Sequence, residues 1–224
     1  TTDCRYEYGE NGLCARVSVT MAPGVGSPAN DEYSLEYDRR GLLARVDFPD
    51  GGCTALEWDA QARPSAIRHL DAAGQLLYAC ETTADAAGRQ LAALETRRLA
   101  DGRRQERRRQ WQYDAWGRLR REESDAPDSE PMSYAQDFSY DLAGNRLGDY
   151  RQYANGDFLI RRRQYDDNDR LLTETRETAD QTVRRDFVWD DNGSLIAVYR
   201  QGRQNPERQF IWDCENMLTA VIVV

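Results

Sequence analysis

The sequence contains no lysine and only one histidine, His69, so all 30 of its basic residues are arginines. Its 39 acidic residues give a formal net charge of −9. A general nucleic-acid surface needs an excess of basic side chains, because binding is driven by counterion release from phosphates. The charge balance therefore argues against a nucleic-acid partner.

Cysteine patterns and long apolar runs are also missing. The cysteines are five in number, which is odd, and no C-x-x-C pair occurs, so we expect free thiols rather than a disulfide or zinc framework. The longest apolar run, Leu218–Val224, is interrupted by Thr219 and is too short to span a membrane. No signal-peptide pattern opens the chain, which begins Thr-Thr, as an internal segment or a trimmed start would. The cysteines are Cys4, Cys14, Cys53, Cys80 and Cys214.

Aromatic residues are plentiful in a polar background. The 224 residues include 12 Tyr and 5 Trp, although only 40% are hydrophobic and 31% are charged. This balance argues against disorder and favours thin β-sheets in which one strand face is buried and the other is solvated.

One pattern recurs along the chain, namely apolar–x–aromatic–Asp–x–x–Gly–x–Leu. From Tyr113 onward the aromatic positions are separated by 27, 25, 24 and 23 residues. The well-formed copies are LEYDRRGLL (35–43), LEWDAQARP (56–64), WQYDAWGRL (111–119), FSYDLAGNRL (138–147), RQYDDNDRL (163–171), FVWDDNGSL (187–195) and FIWDCENML (210–218), and weaker copies are YEYGENGLC (6–14), HLDAAGQL (69–76) and TADAAGRQL (83–91).

Each motif position has a physical reason. The apolar and aromatic residues are two apart, so they share one strand face. The Asp ends the strand, and we expect its carboxylate to cap backbone N–H groups two or three residues further on. The Gly position requires a left-handed conformation. The structural motif residues are Tyr37, Asp38, Gly41, Trp58, Asp59, Tyr113, Asp114, Gly117, Tyr140, Asp141, Gly144, Tyr165, Asp166, Trp189, Asp190, Gly193, Trp212 and Asp213.

Substitutions at the Gly position test this interpretation. Seven of the ten copies carry Gly, one carries Asp169 and one carries Asn216, and Asp and Asn are the residues that best tolerate left-handed backbone after Gly. Only Ala62 breaks the rule. The repeat is therefore predicted to be a β-hairpin.

Turn signals also occur between the motifs. Phe48–Gly52, Asp101-Gly102 and Asn155-Gly156 predict hairpin loops, and longer loops are expected at 22–30 and 124–131. Two strands per repeat give about twenty strands. The segment 84–109 has helical composition, but Asp101-Gly102 interrupts it and motifs flank it, so strands are predicted there.

The ten motifs resemble the tyrosine–aspartate (YD) repeats of RHS-repeat proteins, which include bacterial polymorphic toxins, Tc toxin shell components and teneurins. The resemblance implies an all-β fold, a repetitive antiparallel β-hairpin ribbon that curls as part of a larger spiral shell. The whole chain, 1–224, would be one array, degenerate at 1–109 and well formed at 110–224. The implied partners are the remaining repeats of a parent protein and an enclosed toxin domain. The implied route is synthesis in a bacterial cytoplasm and export within a larger secreted or cell-surface protein.

The sequence departs from that family in one respect. No Asp-Pro-x-Gly motif occurs, so the family's self-cleavage is not assigned to this segment. Twenty strands spaced by roughly 4.8 Å make a ribbon about 95 Å long, too short to enclose a folded toxin alone. The apolar strand at 219–224 is expected to pair with a further strand, so self-association through open sheet edges is predicted.

Several of these residues also have possible catalytic or metal-binding roles. The repeated aspartates could act as acid/base pairs, Asp166–Asp169 and Asp190–Gly193 could bind calcium, and His69 could pair with Cys53 or Cys80. In each case a turn cap or strand filler is favoured, and no cofactor or metal is expected. The arginines at 103–109 and 161–163 are predicted to pair across strands, and the aromatic residues to pack between repeats.

Two functions follow from these interpretations. The first is a structural segment of an encapsulating shell that sequesters or helps deliver a toxin cargo, without catalysis in this segment. The alternative is a surface-exposed module that binds glycans or a protein partner, which rests on the tyrosine and tryptophan content.

Overall fold

A computed structural model describes residues 3–20, 30–126 and 133–223. These residues form eighteen strands and no helix, and the strands belong to one open antiparallel sheet. Among the described residues of each compact unit, every strand pairs with the next one in the sequence, so the strands form a meander. The strands are β1 (Asp3–Tyr8), β2 (Cys14–Thr20), β3 (Asn30–Tyr37), β4 (Leu43–Asp47), β5 (Cys53–Trp58), β6 (Pro64–Leu70), β7 (Leu76–Ala84), β8 (Gln90–Arg98), β9 (Arg104–Tyr113), β10 (Leu119–Asp125), β11 (Tyr134–Tyr140), β12 (Arg146–Tyr153), β13 (Phe158–Tyr165), β14 (Leu171–Thr178), β15 (Thr182–Trp189), β16 (Leu195–Arg200), β17 (Arg208–Trp212) and β18 (Leu218–Val223).

The predicted fold class is confirmed, and so is strand rather than helix in the segment 84–109. Two turns, at 85–89 and 99–103, divide this segment into β7, β8 and β9. Strand β9 alternates strictly between exposed and half-buried residues along its ten positions. Turn chemistry and pairing with neighbouring strands therefore override the helix-forming composition.

The sheet buries little apolar surface. The buried apolar residues are mostly small, and no large side chain is fully buried among the residues described. A single sheet has no second layer to cover its faces, so backbone pairing and side-chain bonds between strands have to supply much of the cohesion. The buried apolar residues with a defined strand position are Cys53, Ala66, Ala79, Ala93, Leu159, Ala197 and Val198.

The chain divides into two compact units, one that runs to Gln110 and one that holds most of the chain from Trp111 onward. The first unit contains β1 to β8 and most of β9, and the second contains the last residues of β9 and β10 to β18. The prediction of a single array, degenerate at 1–109 and well formed at 110–224, stays a prediction.

The prediction of about twenty strands came from ten copies with two strands each. One copy does not fit that scheme, because HLDAAGQL (69–76) connects β6 to β7, whereas the other copies follow odd-numbered strands. Its turn therefore lies at the opposite end of the strands from the neighbouring turns at 59–63 and 85–89. The short spacing of these three copies, 12 and 14 residues between their aspartates, corresponds to one strand rather than two.

Candidate functional site: the stitched motif turns

The motif turns are the nine turns that follow the odd-numbered strands, and the turn at 38–42 is representative. The Asp38 N–H donates to the Leu42 carbonyl at 2.8 Å, and the Gly41 N–H donates back to the Asp38 carbonyl at 3.0 Å. The register of β3 and β4 shifts at Tyr37, which pairs with Leu43. Asp38 and Leu42 therefore close a three-residue hairpin loop whose last residue is the left-handed Gly41. The register shift is a separate bulge in β4, because Glu36 pairs with Arg45 and leaves Ala44 as the extra residue.

The Asp side chain closes the turn from within. Asp38 Oδ1 accepts hydrogen bonds from the N–H groups of Arg40, at 2.8 Å, and Leu42, at 3.0 Å. The cap was expected two or three residues further on, but it reaches positions two and four instead. Asp141 is different, because it accepts from Gly144 and Asn145, at positions three and four. Caps at positions two and four are also made by Asp59, Asp85, Asp114, Asp166, Asp190 and Asp213.

The Gly position has positive φ in every copy. Asp169 and Asn216 both have φ of 61°, as their side chains permit. Ala62, the apparent exception, adopts the same conformation with φ of 59°. The turn therefore imposes left-handed backbone on Ala62, whose methyl side chain cannot form the local hydrogen bonds that stabilise Asn or Asp in this conformation. The glycines in this position are Gly12, Gly41, Gly74, Gly88, Gly117, Gly144 and Gly193.

The motif aromatics join each repeat to the one before it. Tyr37 donates its hydroxyl to the Cys14 carbonyl at 2.9 Å, and the Trp58 indole N–H donates to the Leu43 carbonyl at 2.7 Å. In each case the acceptor is the first residue of the preceding even-numbered strand. We call these bonds stitches. The second unit has four more, Tyr140 to Leu119, Tyr165 to Arg146, Trp189 to Leu171 and Trp212 to Leu195, at 2.8 to 3.1 Å.

Arginines form a second link between turns, which the motif did not predict. Arg118 donates from Nε to the Asp114 carboxylate at 2.7 Å and from an Nη to the Asp141 carbonyl, in the next motif turn, at 2.8 Å. Its guanidinium also lies 4.6 Å from the centre of the Tyr140 ring. The available signal in the sequence was an Arg directly after the Gly position, which recurs as Arg63, Arg89, Arg118 and Arg170. Equivalent links join Arg63 to Asp59 and Asp85, and Arg170 to Asp166 and Asp190.

These contacts favour the charged form of the turn aspartates. The backbone N–H of the fifth turn residue, with further help from nearby arginine, holds the pKa of each of four carboxyls below its ordinary value. The acids and the residues that donate those N–H groups are Asp38 with Leu42, Asp59 with Arg63, Asp85 with Arg89 and Asp166 with Arg170.

A polar network lies within the second unit, on the sheet face that carries the motif aromatics. The Asp149 side chain is completely buried, and its oxygens accept from Arg161 at 3.0 Å and Arg163 at 3.1 Å. Gln136 donates to the same carboxylate at 2.8 Å, and Arg163 also pairs with Glu174 at 2.8 Å. The network thus spans β11 to β14, and the predicted cross-strand pairing of the arginines at 161–163 is confirmed in this region.

The other candidate residues occupy structural positions. His69 Nδ1 lies 2.7 Å from Thr54 Oγ1, and its ring lies beside Tyr78. Asp166 and Asp190, the first residues of the two calcium-like sequences, are turn caps. Within the described part of the chain, no group of three or more His, Cys, Asp or Glu could hold a metal ion, and no helix is suited to crossing a membrane.

No protein-family model and no curated protein sequence matches the chain. Solved Tc toxin structures do match. The crystal structure of TcdB2-TccC3-Cdc42 superimposes with a TM-score of 0.51 at 13% identity, over 99% of this chain. A Tc holotoxin pore from Photorhabdus luminescens superimposes with a TM-score of 0.41 at 13% identity, over 95% of this chain. The first match spans only 14% of the Tc toxin chain, so this protein shares the fold of a segment of that structure.

Proposed function

We propose that this chain is a structural segment of an RHS/YD-repeat shell that sequesters or helps deliver a toxin cargo and performs no catalysis of its own. The observation that carries this proposal is the set of stitches. The polar groups of the motif, which a catalytic or binding site would direct toward a ligand, are directed toward the preceding repeat.

The wall of such a shell would be a single β-sheet, and its strands must resist separation without a second layer of secondary structure packed against them. Backbone pairing runs along every strand, the stitches join each repeat to the one before it, and arginine links join successive motif turns within each unit. The buried network around Asp149 adds charge-assisted bonds across four strands. All of this bonding runs across the strands, which is the direction in which a single sheet is otherwise weakest.

The likeness to the Tc toxin segment supports the shell as the setting for this wall. In that setting the partners are the remaining repeats of a longer parent protein and a toxin domain that they enclose. The parent is bacterial, is made in the cytoplasm and is exported as a larger secreted or cell-surface protein.

The test uses the full natural protein that contains this segment. Gly148 faces a close backbone approach, because a Cβ placed there would lie 2.8 Å from the Arg161 carbonyl oxygen. Gly148→Val should therefore push β12 and β13 apart and open the wall. Leu142→Ser is the matched control, because Leu142 is 98% exposed in a motif turn.

Limited proteolysis followed by mass spectrometry measures whether the enclosed toxin domain is protected from protease. We expect the enclosed domain to resist protease in the natural protein and in Leu142→Ser, and to be cut in Gly148→Val. Cargo that is cut equally fast in all three proteins would contradict the proposal. Specific turnover of any substrate by the purified segment would contradict the non-catalytic part.

Recognition of glycans or of a protein partner is the second candidate, and one side chain favours it. Trp116 lies in a motif turn, is 74% exposed and makes no stitch, although Arg118 stacks 4.9 Å from its ring centre. A glycan array probed with the natural protein and with Trp116→Ala tests this candidate. Glycan binding that Trp116→Ala abolishes would support this candidate. An array without binding would count against it and favour the structural shell segment.

A further inference from the structure

A small cavity lies within the second unit, on the sheet face that carries the motif aromatics. It measures about 190 Å³ and is formed by the β14–β15 hairpin and the end of β16. Pockets for drug-sized molecules usually measure about 300–1,000 Å³, so this cavity suits a smaller ligand. Strands β13 and β17 pair with the two outer strands of the set, so the cavity is not at an edge of the sheet. Its lining residues are Arg176, Thr178, Gln181, Val183, Arg185 and Arg200.

The strand register brings three guanidinium groups to this face. Arg185 pairs directly with Arg200 across β15 and β16, and Arg176 pairs with Val183 across β14 and β15. Val183 and Arg185 are two apart on one strand, so all three arginines project from the same side of the sheet. Like charges directly opposite each other destabilise a sheet. The fold therefore contains a local repulsion here that a bound anion would relieve.

Two of the three guanidinium groups have no carboxylate partner. Arg185 donates to both oxygens of Glu207, at 2.8 and 3.1 Å. Within the part of the chain that the structure describes, Arg176 and Arg200 make no ion pair and no side-chain hydrogen bond. The hydrogen bond from Arg185, with help from the nearby charge of Arg200, holds the pKa of Glu207 below its ordinary value. The cavity is thus a site of positive potential in a chain of net charge −9.

We propose that this cavity binds a phosphate group, either as free inorganic phosphate or as a phosphoryl group of a larger molecule. Arg176 and Arg200 would donate to different phosphate oxygens, and Arg185 would add a third positive charge while it keeps Glu207. The Thr178 hydroxyl and the Gln181 amide supply further donors in the lining. This site goes beyond the proposed shell function and does not depend on it.

The arrangement favours phosphate over a carboxylate. One guanidinium fork satisfies both oxygens of a carboxylate, as Arg185 does for Glu207. A single carboxylate would therefore leave Arg176 or Arg200 without a partner. A phosphate dianion carries more charge and presents its oxygens tetrahedrally, so it can accept from guanidinium groups on different strands at the same time.

Calorimetric titration of the chain with inorganic phosphate and with pyrophosphate tests the site at low ionic strength, where salt screens the contacts least. Arg176→Gln and Arg200→Gln should each weaken binding roughly tenfold, as expected for one lost charge-assisted hydrogen bond. Pyrophosphate that binds much more tightly than phosphate would assign the site to a phosphoryl group of a larger molecule. Equal affinities would assign it to free phosphate.

Arg184→Gln is the matched control. Arg184 precedes Arg185 on β15, so it projects from the opposite face, where it pairs with Asp186 at 3.0 Å. The substitution removes the same charge as Arg200→Gln, but it should change the affinity by less than about twofold. Equal weakening in both variants would show a response to net charge alone and would overturn the proposal.

Urea unfolding separates lost binding from lost folding. Arg200→Gln should leave the unfolding midpoint unchanged or raise it, because it removes the like charge opposite Arg185. Arg200→Lys keeps the charge but loses the planar fork, so its affinity should lie between those of the natural chain and Arg200→Gln. Failure of the folded chain to bind either phosphate, or acetate that binds as tightly as phosphate, would overturn the proposal.

Arginine modification in the full natural protein locates the site without any substitution. Phenylglyoxal reacts with accessible guanidinium groups, and mass spectrometry of the digested protein measures the extent of reaction at each arginine. Pyrophosphate should slow the reaction of Arg176 and Arg200 at least severalfold and leave that of Arg184 unchanged. If Arg176 and Arg200 react equally fast with and without pyrophosphate, the proposal is overturned.

Discussion

Ala62 provides the sharpest test of the turn, because it adopts the left-handed conformation although alanine is poorly suited to it. Its φ is 59°, and its N–H donates to the Asp59 carbonyl at 3.2 Å, compared with 2.8 Å for the Gly74 N–H in the next turn. Left-handed backbone costs an L-residue about 1–2 kcal/mol. Gly adds about 0.4–1 kcal/mol of unfolded-state entropy that folding must overcome. Ala62→Gly should therefore stabilise the protein by about 0.5–1 kcal/mol.

The reverse substitution serves as the control. Gly74 has φ of 73°, and a Cβ placed there would have no heavy atom within 4 Å, so Gly74→Ala changes backbone strain without a clash. It should destabilise the protein by about the same amount. Urea unfolding measures both as shifts in the transition midpoint at constant slope. If Ala62→Gly lowers the midpoint while Gly74→Ala also lowers it, the strain assigned to Ala62 is refuted.

Three further predictions follow from the same contacts. Tyr140→Phe removes one stitch and should cost about 0.5–1.5 kcal/mol in urea unfolding. Tyr8→Phe is the control and should be nearly neutral, because the Tyr8 side chain is 66% exposed and its hydroxyl makes no stitch to any residue that the structure describes. Asp149→Asn leaves Arg163 without its buried carboxylate and should cost about 3 kcal/mol by the same assay, and a loss below about 1 kcal/mol would contradict the network. Asp38, Asp59, Asp85 and Asp166 have folded pKa values below the unfolded value, so their contribution is complete above the ordinary pKa of 3.8 and is lost as the pH falls through the lower folded values. Unfolding free energy should therefore be steady near pH 6 and decline below about pH 4, and a decline that begins near pH 6 would contradict this assignment.

The turns could be predicted from the sequence because their chemistry is local. Asp supplies the cap and Gly, Asn or Asp supplies positive φ within five residues, so the composition of each copy is sufficient. The same local rule overcame the helical composition of 84–109. It failed at HLDAAGQL (69–76), because a turn of this type forms at either end of a strand, and only the shorter spacing shows which end it occupies.

The links between repeats could not be predicted, because their partners are distant in sequence. The stitch acceptor is a backbone carbonyl, which leaves no mark on residue identity, and the partner of Arg118 is the carbonyl of Asp141, 23 residues away. The burial of Asp149 likewise depends on the register of β12 with β11 and β13. These features become visible only when the strands are paired.

The most direct measurement on the wall is hydrogen exchange of its backbone amides, resolved by residue. Pairing of β7 with β8 and of β8 with β9 predicts slow exchange along these three strands, interrupted by fast exchange at the outer turn residues Ala86 and Ala100. Unbroken protection through the 85–89 and 99–103 turns, or rapid exchange throughout these three strands, would contradict it.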